Sequence, residues 1–374
     1  MVAAAISSPG ALKVFTVASA RGFSLVAQVQ LGKITSVGLV QPAGLVLGTS
    51  EDGTVAAWDV RVPTREAFRV GPTDEGAIWS ADMAGNTLVS GAASGAVLVY
   101  DVRKLGGPRL FLEDTHGDLV TGCTLTPQGG LPVSGGPPSA WDKSENVLLT
   151  CSVDGQIAVS DLSETDPDEC FKACTNTSDS LDEMGLFGPG LGQVWARSDT
   201  FALHMWDWRD ALREDDGGGA AAVSVPEARD MMTRATESSG VLEAGAVEYM
   251  LGCRWDGTSL WALGGNEGGF VGMARLAGQG QLGPVETVLT PGGHQGGVRR
   301  AVFVESDAGQ PWLCVTGGED GHLCLWDERY PGGTNEQSQK GKPGAGTGKK
   351  DWRKGAKGGV SKHHKGGKKD RSRH

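Results

Sequence analysis

Short apolar runs alternate with glycine-rich turns along most of the chain. In "HLCLWD", His322 to Asp327, Leu323 and Leu325 fall on one face of a strand while His322, Cys324 and Trp326 fall on the other. Few positions on either face are charged, so both faces are expected to be covered. The turn before this run contains Asp320-Gly321, a pair suited to joining two strands, because Gly tolerates positive φ and the Asp side chain can bond nearby amides. One stretch reads differently: "PEARDMMTRA", Pro226 to Ala235, opens on a proline and predicts about two turns of helix.

The strand-turn unit recurs. Asp52-Gly53 precedes Trp58-Asp59, Ser94-Gly95 precedes Tyr100-Asp101, and Asp154-Gly155 precedes Ser160-Asp161. "ARSDTFALHMWDWR" reaches Trp206-Asp207 with one residue extra, and "LGGNEGGFVGMARL" keeps the glycine turn but has Met273-Ala274 in place of Trp-Asp. "VASARGFSLVAQVQ", with Arg21-Gly22 and Ala27-Gln28, is a degenerate seventh copy. From Trp58 onward the anchors are 42, 60, 46, 67 and 53 residues apart, against about 40–45 for a repeat of this kind. The surplus is assigned to loops, one of them "TPQGGLPVSGGPPSAWDK". The Ala27 to Trp58 interval is only 31, so the first unit is short.

The last copy carries a polar set: His294, Thr316, Asp320 and Trp326 can pass hydrogen bonds from indole to hydroxyl to imidazole to carboxylate. His116, Thr150 and Asp154 repeat three members, with Ser160 where the Trp would stand. His294 with Asp320 also has the composition of a catalytic dyad; a buried structural network is the favoured reading.

These repeats and this tetrad resemble the WD-repeat family, and the resemblance covers nearly the whole chain. It implies an all-β fold: a single WD40-type β-propeller of seven blades, with six as the alternative count. Residues 1–10 are expected to be a flexible N-terminus and 11–330 the propeller, with loop insertions near 127–143 and 211–240. Residues 331–374 are expected to be a disordered, Gly- and Lys-rich basic tail. The family implies a non-enzymatic platform for other proteins, monomeric within a larger complex. Four blade ends, Asp59 with Arg61, Asp101 with Arg103, Asp207 with Arg209 and Asp327 with Arg329, resemble the WDxR boxes by which substrate receptors dock on the adaptor of cullin–RING ubiquitin ligases. The alternative is that each Arg caps a turn and pairs with a neighbouring blade's acid.

Charge divides the chain. Residues 340–374 hold 13 Lys and Arg against two Asp, net +11, while the remainder holds 21 basic against 43 acidic residues, net −22. The tail has one aromatic residue, Trp352, and no apolar periodicity, so it cannot bury enough surface to fold alone. Its cations Lys349, Lys350, Arg353, Lys354, Lys357, Lys362, Lys365, Lys368, Lys369, Arg371 and Arg373 are candidates for binding RNA or for nuclear import. The expected location is the nucleus, and the nucleolus within it, with the cytoplasm as the alternative.

Other signatures are discounted. "GAGTGKK" resembles a phosphate loop, but Pro343 takes the first glycine position and Lys350 the place of Ser or Thr. Gly278, Gly280 and Gly283 spell GxGxxG, yet Pro284 and a β-rich run follow instead of a helix. Seven cysteines without CxxC spacing suggest a reducing compartment, no zinc site and no redox role for Cys170 and Cys174. No apolar run approaches the ~18 residues of a membrane span, and the start lacks a basic n-region, so a soluble, unsecreted protein without cofactors is expected.

Overall fold

The computed structural model describes residues 2–7, 10–18, 22–40, 43–62, 65–126, 147–212, 222–240, 245–289, 293–304 and 313–327. Among them each repeat copy becomes one antiparallel sheet. The first has three strands, β1 (Val2–Ser7), β2 (Ala11–Ala18) and β3 (Gly22–Gln30). The second consists of β4 (Ile34–Val40), β5 (Leu45–Ser50), β6 (Val55–Asp59) and β7 (Glu66–Val70); the third of β8 (Ile78–Ala84), β9 (Thr87–Ala92), β10 (Val97–Asp101) and β11 (Leu110–Leu112). The fourth holds β12 (Val120–Leu125), β13 (Val147–Ser152), β14 (Gln156–Asp161) and β15 (Phe171–Asn176). In the fifth are β16 (Leu181–Phe187), β17 (Gln193–Ser198), β18 (Leu203–Asp207) and β19 (Val223–Val225). The sixth comprises β20 (Tyr249–Trp255), β21 (Leu260–Gly265), β22 (Val271–Leu276) and β23 (Leu282–Leu289), and the seventh β24 (Val298–Val304), β25 (Leu313–Gly318) and β26 (Leu323–Asp327).

Strands follow one another across each sheet, and the first strands of successive sheets lie side by side from β1 through β24. Phe23 of β3 packs on Val315 of β25, so the seventh sheet meets the first. This is a β-propeller. Each gap between sheets holds its own apolar cluster, and strand periodicity allots residues to the gaps. On β9, Leu88 packs toward the second sheet and its neighbour Val89 toward the fourth. Fully burying side chains of this size is worth about 1.5–3 kcal/mol each, which is why uncharged residues occupy both faces.

The hairpin turns close alike. Asp52, Ser94, Asp154 and Asp320 accept the backbone N–H two residues on, from Thr54 at 3.0 Å, Ala96 at 3.3 Å, Gln156 at 2.9 Å and His322 at 3.0 Å. The glycine that follows each has positive φ; a Cβ on Gly95 would also sit 2.3 Å from the His116 carbonyl oxygen.

Two parts of the chain differ from the sequence reading. Residues 2–7, within the stretch read as a flexible N-terminus, form β1, because pairing with β2 organises an Ala-rich segment of weak pattern. The stretch 211–240 is more than loop: Val223–Val225 is the outer strand of the fifth sheet. The segment read as a helix from Pro226 becomes an eleven-residue helix, α3 (Ala228–Ser238), after two single-turn helices, α1 (Pro167–Cys170) and α2 (Trp208–Ala211). Met232 and Ala235 of α3 fill the gap between the fifth and sixth sheets. The other expected insertion, 127–143, lies within 127–146, outside the described residues, and residues 328–374 are outside them too.

Candidate functional site

The seventh sheet assembles the polar set of its copy. Asp320, in the turn before β26, accepts N–H groups from Gln295 at 2.8 Å and His322 at 3.0 Å, and lies 3.1 Å from His294 Nδ1. His294 Nε2 lies 2.8 Å from Thr316 Oγ1, and Trp326 Nε1–H donates to the same oxygen at 2.7 Å. A carboxylate only accepts, so Nδ1 carries the imidazole proton and Nε2 accepts the Thr316 hydroxyl. Burial alone pushes the Asp320 carboxyl upward, but the Gln295 and His322 amides and His294 outweigh it and hold it well below the usual carboxylate range. Both imidazole nitrogens are engaged and the ring is buried, so His294 offers no free base to a substrate.

The fourth sheet carries a shorter version. His116 Nε2 lies 2.7 Å from Thr150 Oγ1 and its Nδ1 3.3 Å from Asp154, whose carboxylate also accepts the Gly117 N–H at 2.8 Å. The buried Ser160 stands where the indole would be, and the relay stops at Thr150. Burial holds His116 below the usual histidine range, against the pull of Asp154. A third histidine escaped the sequence reading: His204 on β18 reaches Ser224 Oγ on β19 at 2.8 Å and Asp179 at 3.1 Å. Its partners lie 20 and 25 residues away in irregular spacing, so no motif announces them.

At the blade ends, Arg61 forks onto Asp59, with Nε at 2.8 Å and Nη2 at 2.5 Å, and Arg103 forks onto Asp101 at 2.9 and 2.7 Å. Each Arg thus pairs with the acid two residues before it, in place of the neighbouring-blade acid expected from sequence. The Arg61 guanidinium holds Asp59 at about 2, and Arg103 holds Asp101 lower still than the usual range. The Arg side chains themselves are 76% and 67% exposed. The third candidate is built otherwise. Asp207 caps the short helix α2 (Trp208–Ala211), accepting from the Asp210 N–H at 3.0 Å and from Gln193 at 3.2 Å, and Arg209 stacks on Trp208 at 5.2 Å. Asp327 ends β26; Arg329 lies outside the described residues, together with every basic candidate of the tail.

The innermost strands, and Arg197 on β17 beside them, hold polar groups that the sequence reading missed. Each crosses to the next sheet. Thr35 donates to the Ile78 carbonyl, Ser80 Oγ accepts the Cys123 N–H at 2.8 Å, and Asp82 accepts the Leu125 N–H at 2.8 Å. Thr121 donates to the Leu181 carbonyl at 2.8 Å, Arg197 to the Met250 carbonyl, and Tyr249 Oη accepts the Val298 N–H at 2.7 Å. Around the fifth to seventh sheets this band becomes ionic: Arg197 pairs with Asp182 at 2.8 Å and lies 3.5 Å from Glu183, which also pairs with Arg300 across 117 residues of sequence. Burial pushes Glu183 above the usual carboxylate range, with Arg300 and Arg197 opposing. Cys170 is buried and donates to the Asp166 carbonyl at 3.3 Å, while Cys174 is exposed. Among the described residues no group of His, Cys, Asp and Glu is arranged to hold a metal ion.

The family model "WD domain, G-beta repeat" matches residues 285–327, from β23 to the end of β26. "WD repeat-containing protein GTS1" of Arabidopsis thaliana is 27% identical over 288 residues, 74% of this chain and 64% of that protein. "WD repeat-containing protein 89 homolog" of Dictyostelium discoideum is 28% identical over 180 residues, 48% of this chain and 45% of that protein. The chain thus spans less than two thirds of the length of these curated relatives. Among solved structures, a chain of "Crystal Structure of Mitotic Checkpoint Complex" superposes with a TM-score of 0.60 at 15% identity, covering 87% of this chain and 83% of that one, a likeness of fold. A propeller frame with an indole-to-carboxylate relay in one blade defines a class, and the matches agree with it. The chain is similar to WD-repeat proteins, and the repeat model matches its last copy. Propellers of this family are in general scaffolds for other proteins.

Proposed function

We propose that this propeller is a non-catalytic scaffold within a nuclear or nucleolar multiprotein assembly, its acidic ring binding proteins and its basic tail touching RNA. The observation that carries this reading is the division of charge: net +11 in residues 340–374 against net −22 in the rest. A segment that concentrates 13 cations attracts polyanions and releases their counterions, whereas the ring repels them. The test compares full-length protein with residues 1–339 in RNA binding and in distribution within cells. Loss of RNA binding and of nuclear enrichment on truncation supports the reading. Identical behaviour of the two chains would remove both roles from the tail.

A second reading is favoured by one observation, the outward Asp59–Arg61 and Asp101–Arg103 forks at successive blade ends. In it the protein is a substrate receptor that docks these ends on the adaptor of a cullin–RING ubiquitin ligase. A guanidinium fork matches a carboxylate or carbonyl pair in a way that no methyl group can. Capture of the adaptor by the wild type, lost in an Arg61→Ala and Arg103→Ala double variant, supports this reading. Failure of the wild type to capture it ends the idea.

A further inference from the structure

Five of the seven sheets have four strands, and the first has three. Its outer strand, β3, ends at Gln30, and only Leu31, Gly32 and Lys33 separate it from Ile34 at the start of β4. The chain leaves no room for a fourth strand at this point. Between β6 and β8, by contrast, eighteen residues, Val60 to Ala77, carry β7. β2 pairs with one edge of β3, and no described strand pairs with the other. The seventh sheet is different, since β26 is followed directly by residues outside the described set.

An open edge presents a row of unpaired N–H and C=O groups, and proteins guard such edges with charge, proline or shortness. β3 has none of these guards. It is nine residues long, "GFSLVAQVQ", with no Lys, Arg, Asp, Glu or Pro. A β-bulge at Val26 offsets its pairing with β2, and the two aliphatic side chains at this point, Leu25 and Val26, are 55% and 40% exposed. Ser24, Gln28 and Gln30 are exposed beside them, so the edge offers uncharged side chains throughout.

What fills the edge must be an extended, uncharged strand. None of the segments outside the described residues has that pattern. The longer segments outside the described residues are rich in Gly and Pro, as in 127–146, acidic and Gly-rich, as in 213–221, broken by Gly and Pro, as in 305–312 and 328–339, or Gly- and Lys-rich, as in 340–374. None alternates apolar and polar residues over the length of β3. The strand that meets the requirement is β3 itself. We propose that two copies of this protein pair through their β3 edges, antiparallel and related by a two-fold axis, joining the first sheets of both rings into one six-stranded sheet. Such an interface is isologous and closes at two copies. It takes the place of the monomer expected from the sequence. Two rings of like net charge repel, so salt should strengthen this association, the reverse of an ion-paired interface.

Sedimentation of the full chain over a range of protein and salt concentrations tests the proposal. The wild type is expected to sediment as a dimer whose dissociation constant falls as salt rises. A Leu25→Lys, Val26→Lys variant is expected to be monomeric with an unchanged melting temperature. If that variant fails to fold, Ser24→Lys, Gln28→Lys places the charge at two other exposed positions of the same edge and is expected to give the same monomer. A wild type that stays monomeric throughout overturns the proposal and leaves the edge to a strand of another protein. Lysine variants that fold and dimerise as tightly as wild type overturn it equally, by locating the interface elsewhere.

Discussion

Trp326 donates its indole N–H to Thr316 across one strand pair at 2.7 Å, and in the fifth sheet the equivalent bond cannot form. Trp326 stands opposite Cys314, two residues before Thr316; Trp206 stands opposite Val194, two residues before Ala196, so its buried indole N–H has no hydroxyl to meet. Gly48 occupies the same place beneath Trp58. A hydroxyl two residues along the partner strand is therefore what admits the indole to the relay, and the second and fifth sheets lack it.

Removing that hydroxyl should be costly. Thr316→Val keeps the volume but strands the Trp326 N–H and one imidazole nitrogen, a loss of about 1–3 kcal/mol. Trp326→Ala removes the ring as well and should cost about 3–5 kcal/mol. Denaturant unfolding of the two variants checks both; an unchanged midpoint for Thr316→Val would show that the relay contributes nothing to stability.

The arginines should divide into two groups. Arg61 and Arg103 reach only their own acids, with the guanidinium in water, and exposed pairs contribute little. Alanine at these positions should leave the melting temperature unchanged. Arg197 is largely buried and serves Asp182, Glu183 and the Met250 carbonyl at once. Arg197→Ala leaves Glu183 with Arg300 as its remaining counter-charge and the Met250 carbonyl without its donor, and should cost about 1–3 kcal/mol. Equal effects at the two kinds of site would contradict this division.

Glycine at position 91 is held by a neighbour. A Cβ there would come within 2.4 Å of Val120 Cγ1 and 3.0 Å of Cys123 Sγ, where the third and fourth sheets meet. Gly91→Ala should therefore cost about 1–3 kcal/mol through overpacking. Adding Val120→Ala opens the space, so the double variant should be more stable than the two single losses summed. Strict additivity would mean that the sheets adjust freely.

The strands, turns and relay were legible because their signals are local. Asp320-Gly321, the alternation in "HLCLWD" and the His294, Thr316, Asp320 and Trp326 set lie within 33 residues, and each has a fixed offset. The contacts along the innermost strands were not legible. Glu183 and Arg197 face each other within the fifth sheet, while Arg300 lies on the seventh, 117 residues from Glu183, and only the curvature of the ring brings it to them. β1 was missed because "VAAAIS" has little contrast between its faces. His204 was missed for a related reason: its alternation with Met205 reads as ordinary strand, while its partners Ser224 and Asp179 sit at no repeating distance.

Acid should weaken the ring through its histidines. Burial holds His116 and His204 below the ordinary value of 6.5, so below that pH the unfolded chain binds protons that the folded chain refuses. Their contribution is complete above about pH 6.5 and is lost as pH falls toward the folded values. Asp82 and Glu183, pushed upward by burial from 3.8 and 4.5, act in the opposite sense. A His116→Gln, His204→Gln variant isolates the histidines. Its melting temperature should fall less than that of the wild type between pH 7.5 and 5.5, conditions chosen to bracket the histidine range of about 6.5. A parallel fall in both proteins would exclude these two histidines as the cause.

The tail gives the steepest expectation. Thirteen cations lie in the 35 residues from 340 to 374, and each phosphate they neutralise releases counterions. Engaging 6–10 phosphates would lower affinity by roughly 10³–10⁵ between about 50 and 200 mM salt, with little dependence on base sequence. Residues 1–339, at net −22, should bind no RNA at any of these concentrations. The same acidic ring can compete with RNA for its own tail. In that case the full chain should bind more weakly at low salt than a peptide of residues 340–374 alone, with the two curves converging as salt screens the ring. A titration of full chain, truncated chain and peptide separates these outcomes. Binding by residues 1–339, or binding indifferent to salt, would show that the charge of the tail is not what holds RNA.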